Sequence, residues 1–374
     1  MKRRDVLMRF ASAAAGVALP SFAQPARIVL GQSAAFSGPS EQLGIQMNRG
    51  ARIFFDALNA AGGIHGRTVE LRTLDDGYEP NRCAANTEKF LKEDVFALFG
   101  YVGTPTCMAA MPQIDNAKMP FFAPFTGAES LRSPLKRHVF HLRASYFDET
   151  ALIVRQLTAL HLRRISVFYQ DDAYGQAGLE GVSRALKRDS LEPVSVGTVE
   201  RNSVDVRKAV KDIVAAGPNA VVQIGSYKAC AAFVRAARKA GYAGTFSNVS
   251  FVGTQALIDE LGADARGVMV SQVVPSPFSR SSALAREYQD ALTAAGPGNN
   301  PNYSSIEGYL AAKVLTDGLR RAGKNPSRDG LIAALESIHD TDFGGFMVDF
   351  RTDKHNASSF VDLSMLTHNG KVRL

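Results

Sequence analysis

From Arg27 onward the chain alternates short β-branched runs with longer stretches of helical period, and it does so in two successive series. Alternation of this kind builds βαβ units, parallel sheets with helices laid on them. The first series reads as strand Arg27–Gln32, helix Gly44–Ala60, strand Thr68–Leu74, helix Pro80–Lys92, strand Val95–Phe99, helix Pro105–Asn116 and strand Pro120–Ala123. The second begins near Val139. It runs strand Ile165–Tyr169, helix Gly175–Lys187, strand Val194–Val199, helix Val204–Ala215, strand Ala220–Ile224, helix Ala229–Ala240 and strand Thr245–Val249. Unbroken apolar runs such as Val95–Phe99 and Ala220–Ile224 suit strands covered on both faces. In the first helix, Ile45, Ala51, Phe54, Phe55 and Leu58 form the expected apolar stripe. After Pro275 the pattern turns helical, over Ser282–Ala295, Ile306–Arg321 and Arg328–Ser337, before two late strands near Phe343–Phe350 and Ser359–Leu366.

A chain of 374 residues exceeds the roughly 100–200 of one domain. The two series are of similar length, so the expectation is an α/β protein of two doubly wound lobes. The tail returns to complete both: residues 24–143 with 275–350 form one lobe, and 144–274 with 351–374 the other. Several crossings between lobes, and hence a hinge, follow.

Residues 1–23 read as an export signal. Lys2, Arg3 and Arg4 form a positive start, Phe10 to Leu19 a short apolar run, Pro20 a break, and Ser21-Phe22-Ala23 a cleavage site with small residues at the right spacing. The mature chain is expected to start at Gln24 and to lie in an oxidising compartment. The apolar run is too short to span a bilayer, which takes about 20 residues. No Cys follows it, so no lipid anchor is expected. Arg3-Arg4 before Val6-Leu7 is similar to a twin-arginine signal, and the export route stays open between the two.

The formal charge of +7 is partly this local surplus. The remainder is mildly basic and lacks the concentrated face that nucleic-acid binding needs. Enzymatic signatures are missing as well. There is no G-x-S-x-G, no phosphate-binding G-x-x-x-x-G-K, no H-E-x-x-H and no C-x-x-C. Gly175, Gly178 and Gly181 fall inside a predicted helix rather than at a strand–helix turn, so they are not a dinucleotide fingerprint. The His residues are scattered, and no metal or cofactor is expected. Asp75-Asp76 and Asp171-Asp172 end strands and read as solvated loop carboxylates.

The turns after the strands are more informative, because ligands of open α/β sheets sit at the carboxyl ends of strands. Ser37-Gly38-Pro39 follows the first strand and is either a contact or an ordinary turn. Gly62 or Gly63 reads as a helix C′ residue. In Gly100-Tyr101-Val102-Gly103-Thr104-Pro105, Thr104 is expected as N-cap with Pro105 at N1. Free N–H groups and a hydroxyl at a helix start suit a carboxylate, although Thr104 could equally do no more than cap its helix. Phe125-Thr126-Gly127 repeats the design after the next strand, so the two turns would converge on one anion. Tyr146, Tyr174 and Tyr227 occupy matching junctions of the second lobe, as solvated turn tyrosines or as ligand contacts.

Cys83 and Cys107 lie one turn into consecutive helices that flank adjacent strands. A Cys83–Cys107 disulfide is expected in an exported protein, leaving Cys230 free and buried.

In order and spacing, Ser37-Gly38-Pro39, the Asn59…Gly62-Gly63-Ile64-x-Gly66 helix end, Asp75-Asp76, Gly100…Thr104, Pro124-Phe125-Thr126-Gly127 and Asp171-Asp172-Ala173-Tyr174-Gly175 carry a resemblance. Over nearly the whole mature length the chain resembles the branched-chain-amino-acid-binding branch of the periplasmic substrate-binding proteins of ABC transporters. The resemblance implies two Rossmann-like lobes joined by three crossover strands, a trap that closes on its ligand without chemistry. It implies a monomer that hands a small molecule to an inner-membrane ABC permease; a sensor built on the same trap is the alternative. It further implies that Thr104, Thr126 and Gly127 hold the ligand's carboxylate and that Tyr174 closes over it. Members that bind amino acids hold the ammonium with an acid after the strand Thr245–Val249. Here Phe251 falls at that place. With Tyr101, Phe125, Tyr146 and Tyr227 it would make an aromatic pocket suited to an apolar or aromatic acid without an ammonium, with Ser37 and Gly103 as further ligand contacts.

Overall fold

The computed structural model describes residues 27–367 and 371–373, so the export segment and Gln24 lie outside the described residues. Two parallel-stranded sheets account for the two sequence series. The first unit runs β1 (Ile28–Ala34), α1 (Glu41–Ala60), β2 (Val69–Asp75), α2 (Pro80–Lys92), β3 (Ala97–Phe99), α3 (Thr104–Ala117), β4 (Phe121–Phe122) and β5 (Val139–Phe140). Its five strands pair in the order β2-β1-β3-β4-β5, all parallel.

The second unit runs α4 (Tyr146–Ala159), β6 (Ile165–Gln170), α5 (Ala173–Lys187), β7 (Val196–Val199), α6 (Arg207–Ala215), β8 (Ala220–Ile224), α7 (Tyr227–Lys239), β9 (Thr245–Asn248), α8 (Thr254–Leu261) and β10 (Met269–Gln272). The tail supplies α9 (Ala283–Ala294), α10 (Tyr303–Arg321), α11 (Arg328–Glu336), β11 (Thr341–Asp342), β12 (Met347–Val348), β13 (Asp362–Leu366) and β14 (Val372–Arg373). The second sheet is seven-stranded, β14-β13-β10-β9-β8-β6-β7, with β13 and β14 added antiparallel at one edge.

The expected late strand over 343–350 is instead a short hairpin. β11 and β12 pair antiparallel around Gly344 and Gly345, whose φ of 95° and 96° is open to glycine and strained for other residues. The helix stripe of α1 also shifts. Leu43, Met47, Ala51, Phe55 and Leu58 are buried at i, i+4 spacing, while Ile45 and Phe54 are half-buried, Phe54 meeting Tyr309 edge-on at 5.1 Å. At the end of α1 Gly62 takes φ 97°, as a C′ residue does.

The chain passes between the sheets three times: between β5 and α4, between β10 and α9, and between β12 and β13. The first and third passages lie side by side. The His141 N–H donates to the His355 carbonyl at 2.8 Å, and the Ala357 N–H to the His141 carbonyl at 2.8 Å. Among the described residues no helix is long and apolar enough to cross a membrane.

Candidate functional site

The turns that follow β3 and β4 are stitched together. The Phe125 N–H donates to the Tyr101 carbonyl at 2.7 Å, and the Gly103 N–H to the Phe125 carbonyl at 3.2 Å. Gly103, not Thr104, is the N-cap of α3, with φ 103°. A Cβ on Gly103 would lie 2.2 Å from the Tyr78 ring, so only glycine fits. With the cap supplied by the backbone, the Thr104 side chain is free to share a hydrogen bond of 2.6 Å with the Thr126 hydroxyl. The two turns thus converge as the sequence suggests, through their hydroxyls.

From the other unit, Tyr146 begins α4 and its N–H donates to the Gly127 carbonyl at 2.8 Å. Tyr174 lies in the first turn of α5, whose N-cap Asp172 accepts the Tyr174 N–H at 3.0 Å. Phe251 sits in a single 3-10 turn, Ser250–Val252, directly after β9. Its ring is the hub of a buried cluster, with centroids 4.6 Å from Tyr174, 5.7 Å from Phe125 and 5.9 Å from Tyr78. Tyr146 joins through Tyr174 at 5.4 Å. Rings from both units therefore meet over the Thr104–Thr126 pair.

Three expected contacts fall elsewhere. Tyr101 is buried beside Leu98 in the cluster between α2 and α3, against Phe121 at 5.0 Å and Thr87 at 3.1 Å. The sheet's alternation turns it away from the rings, and Tyr78 takes the place expected for it. Ser37 is exposed, its hydroxyl donating to Asp75 at 2.6 Å. Tyr227 is buried, but its hydroxyl accepts the Gln42 N–H at 3.4 Å, a link between α7 and α1 outside the ring cluster.

The expected Cys83–Cys107 disulfide is not formed; Cys83, Cys107 and Cys230 are buried free thiols. Cys107 Sγ faces the Tyr101 carbonyl at 3.9 Å, and Cys83 neighbours Ser33 and Asp76. Burial pushes all three thiols up, and Cys107 is among the electrostatic neighbours of Cys83. Of the two carboxylate pairs expected to be solvated, Asp171 is exposed, Asp75 and Asp172 are half-buried and Asp76 departs from the expectation. Asp76 is fully buried, accepting the Ser33 hydroxyl at 2.7 Å and the Tyr78 N–H at 2.8 Å.

Sequence reasoning missed Tyr78, Arg143 and Glu149. Tyr78 has φ 64°, and its hydroxyl accepts the Gln170 amide at 3.2 Å from the other unit. Arg143 stands on the first crossing, 1% exposed, its guanidinium carbon 4.3 Å from the centroid of Phe125. Its Nη2 donates to the Ser250 hydroxyl at 2.7 Å, and its Nε lies 3.1 Å from Glu307 of α10. Glu149 accepts the Ser250 N–H at 2.7 Å and the Ser271 hydroxyl at 2.5 Å. Burial raises both carboxylates, with Arg143 opposing, and brings Glu307 to about 7. A charged residue in the chain's crossing segment was the one available signal for Arg143. Among the described residues no cluster of His, Cys, Asp and Glu is placed to hold a metal.

Side chains from the two units also meet at the rim. Arg201 lies 3.1 Å from Glu79, and Asn202 donates to Glu79 at 2.7 Å and to the Gly77 carbonyl at 3.0 Å.

The chain matches a family model described as "Periplasmic binding protein" over residues 27–370. A solved structure, described as a possible leucine/isoleucine/valine-binding protein from Rhodopirellula baltica, is 34% identical with TM-score 0.89, covering 94% of this chain and 96% of that one. A substrate-binding periplasmic protein from Ralstonia solanacearum is 32% identical with TM-score 0.87, covering 92% and 99%. Leu/Ile/Val-binding protein homolog 7 of Brucella melitensis is 27% identical over 65% of this chain and 62% of its own length. The chain thus spans less than two thirds of that relative.

Proposed function

The chain belongs to the periplasmic binding protein family, and from that premise we propose that it is an exported solute-binding protein delivering a small apolar or aromatic carboxylate to an inner-membrane ABC permease. One observation carries the choice of ligand. Phe251 is the hub of the ring cluster, at the turn where an amino-acid binder holds the ammonium with an acid. An ammonium facing a phenyl ring forgoes a charge-assisted hydrogen bond, worth about 1.5–3 kcal/mol. An apolar or aromatic body gains from the same rings. The Thr104 and Thr126 hydroxyls and the backbone around Gly127 receive the carboxylate, and Tyr146 and Tyr174 close over it.

In this reading residues 24–143 with 275–350 form the first lobe and 144–274 with 351–374 the second. The work is closure: ligand shifts an open–closed equilibrium by its preference for the closed form. No covalent step is involved, and the protein acts as a monomer after removal of residues 1–23.

The test is thermal unfolding of residues 24–374 against leucine and a panel of aliphatic and aromatic monocarboxylates. The chain has no Trp, so calorimetry serves better than intrinsic fluorescence. At about 1,000 times its Kd a ligand adds roughly 4 kcal/mol, a rise of several degrees. The expected result is a shift with ammonium-free acids. A shift with leucine, isoleucine or valine alone would overturn the reading of Phe251.

A further inference from the structure

Resting on the reading just given, we infer that Arg143 makes the second polar contact to the ligand, and that the cleft selects an acid with an acceptor oxygen, a keto or hydroxyl group, on the carbon next to its carboxylate. Arg143 is fully buried, and its guanidinium lies over Phe125. Its Nη2 is spent on Ser250, and its Nε lies at ion-pair distance from Glu307. Its Nη1 has no hydrogen-bond partner among the described residues. A buried guanidinium N–H without an acceptor is costly, and proteins keep such groups paired. Glu149, which receives the Ser250 N–H, the Ser250 hydroxyl and the Ser271 hydroxyl, is not within hydrogen-bonding geometry of Nη1.

The surroundings are the ring cluster that the proposed function takes as the ligand site. Phe125 lies under the guanidinium, and Tyr146 and Tyr174 are its electrostatic neighbours. Tyr146 also reaches the Thr126 hydroxyl at 3.5 Å. In this reading one small ligand meets the hydroxyl pair with its carboxylate and the guanidinium with an adjacent oxygen. The polarity is opposite to that of an amino-acid site. A donor faces the ligand's second carbon, which attracts a keto or hydroxyl oxygen and repels an ammonium.

The test is calorimetric titration of the mature protein with three acids of one skeleton: 4-methyl-2-oxopentanoate, 4-methylpentanoate and leucine. Phenylpyruvate, 3-phenylpropanoate and phenylalanine repeat the comparison with a larger body. The oxo acid of at least one series is expected to bind at least tenfold tighter than its unsubstituted counterpart, with the amino acid weakest. In Arg143→Lys, which keeps the charge that Glu149 and Glu307 face, the ratio of oxo-acid to unsubstituted-acid affinity is expected to fall below threefold. Equal binding of oxo and unsubstituted acids overturns the role of Arg143 and leaves the carboxylate reading standing. Tightest binding of the amino acid, or binding of no acid in either series, overturns both. The wild-type comparison alone decides if the variant does not fold.

Discussion

Asp75 and Asp76 are neighbours in the chain with opposite environments. Burial works to raise Asp75, but hydrogen bonds from Ser37, the Phe36 and Gly77 N–H groups and Arg82 prevail and hold it at about 2. Burial pushes Asp76 up to about 6, and the charge of Asp75 adds to it. Ionised Asp76 is therefore harder to form in the folded chain than in the unfolded one. Its contribution to stability is complete below its ordinary value of 3.8 and is lost as pH rises through about 6. Asp76→Asn is expected to remove that loss. Between pH 4 and 7 the variant should gain on wild type by about 2–3 kcal/mol, from about two pKa units at ~1.4 kcal/mol each. Thermal midpoints measured across that range check it, and parallel curves for the two proteins would sink it. The dipeptide marked a strand end in the sequence, but nothing local said which carboxylate would be buried.

At the scale of elements, α1 and α10 approach so closely that two glycines are required. A Cβ on Gly50 would lie 1.7 Å from the Ser305 carbonyl oxygen, and one on Gly308 would lie 2.1 Å from that of Met47. Helix propensity and packing then make opposite predictions for Gly50→Ala. Propensity alone favours alanine by about 1 kcal/mol. A clash with backbone must be relieved by moving a helix, and overpacking of that kind costs about 1–3 kcal/mol or more. The packing effect is expected to win, with a net loss of at least about 2 kcal/mol read from the denaturant midpoint. An unchanged or raised midpoint would show that the helices part easily. The positions of α1 and α10 were legible from their 3.6-residue period, over Gly44–Ala60 and Ile306–Arg321. Their contact was not, because it joins residues some 250 apart in the chain and rests on the absence of side chains.

For the whole molecule the question is what holds the two units together. The rim contacts of Glu79 with Arg201 and Asn202 join the start of α2 to the segment after β7. Such partly exposed pairs are worth about 0–1 kcal/mol, enough to tune closure but not to enforce it. Arg201→Ala is expected to weaken binding of the preferred acid about two- to fivefold, leave the thermal midpoint of the free protein within a degree or two, and enlarge the free protein's radius of gyration in solution scattering. Unchanged affinity and radius would place the control of closure in Tyr78, Gln170 and Arg143 instead.

The sequence by itself determined most of the elements, their α/β alternation and the two neighbouring turns after β3 and β4. These follow from periodicity and turn chemistry, which act over a few residues. Tertiary structure alone decided the rest. It placed Tyr78 among the rings and Tyr101 behind the sheet. It kept Cys83 and Cys107 as thiols, and it buried Arg143 between Phe125, Ser250 and Glu307. Each of these depends on which face of a strand or turn meets a partner far away in the chain, and no local pattern encodes that partner.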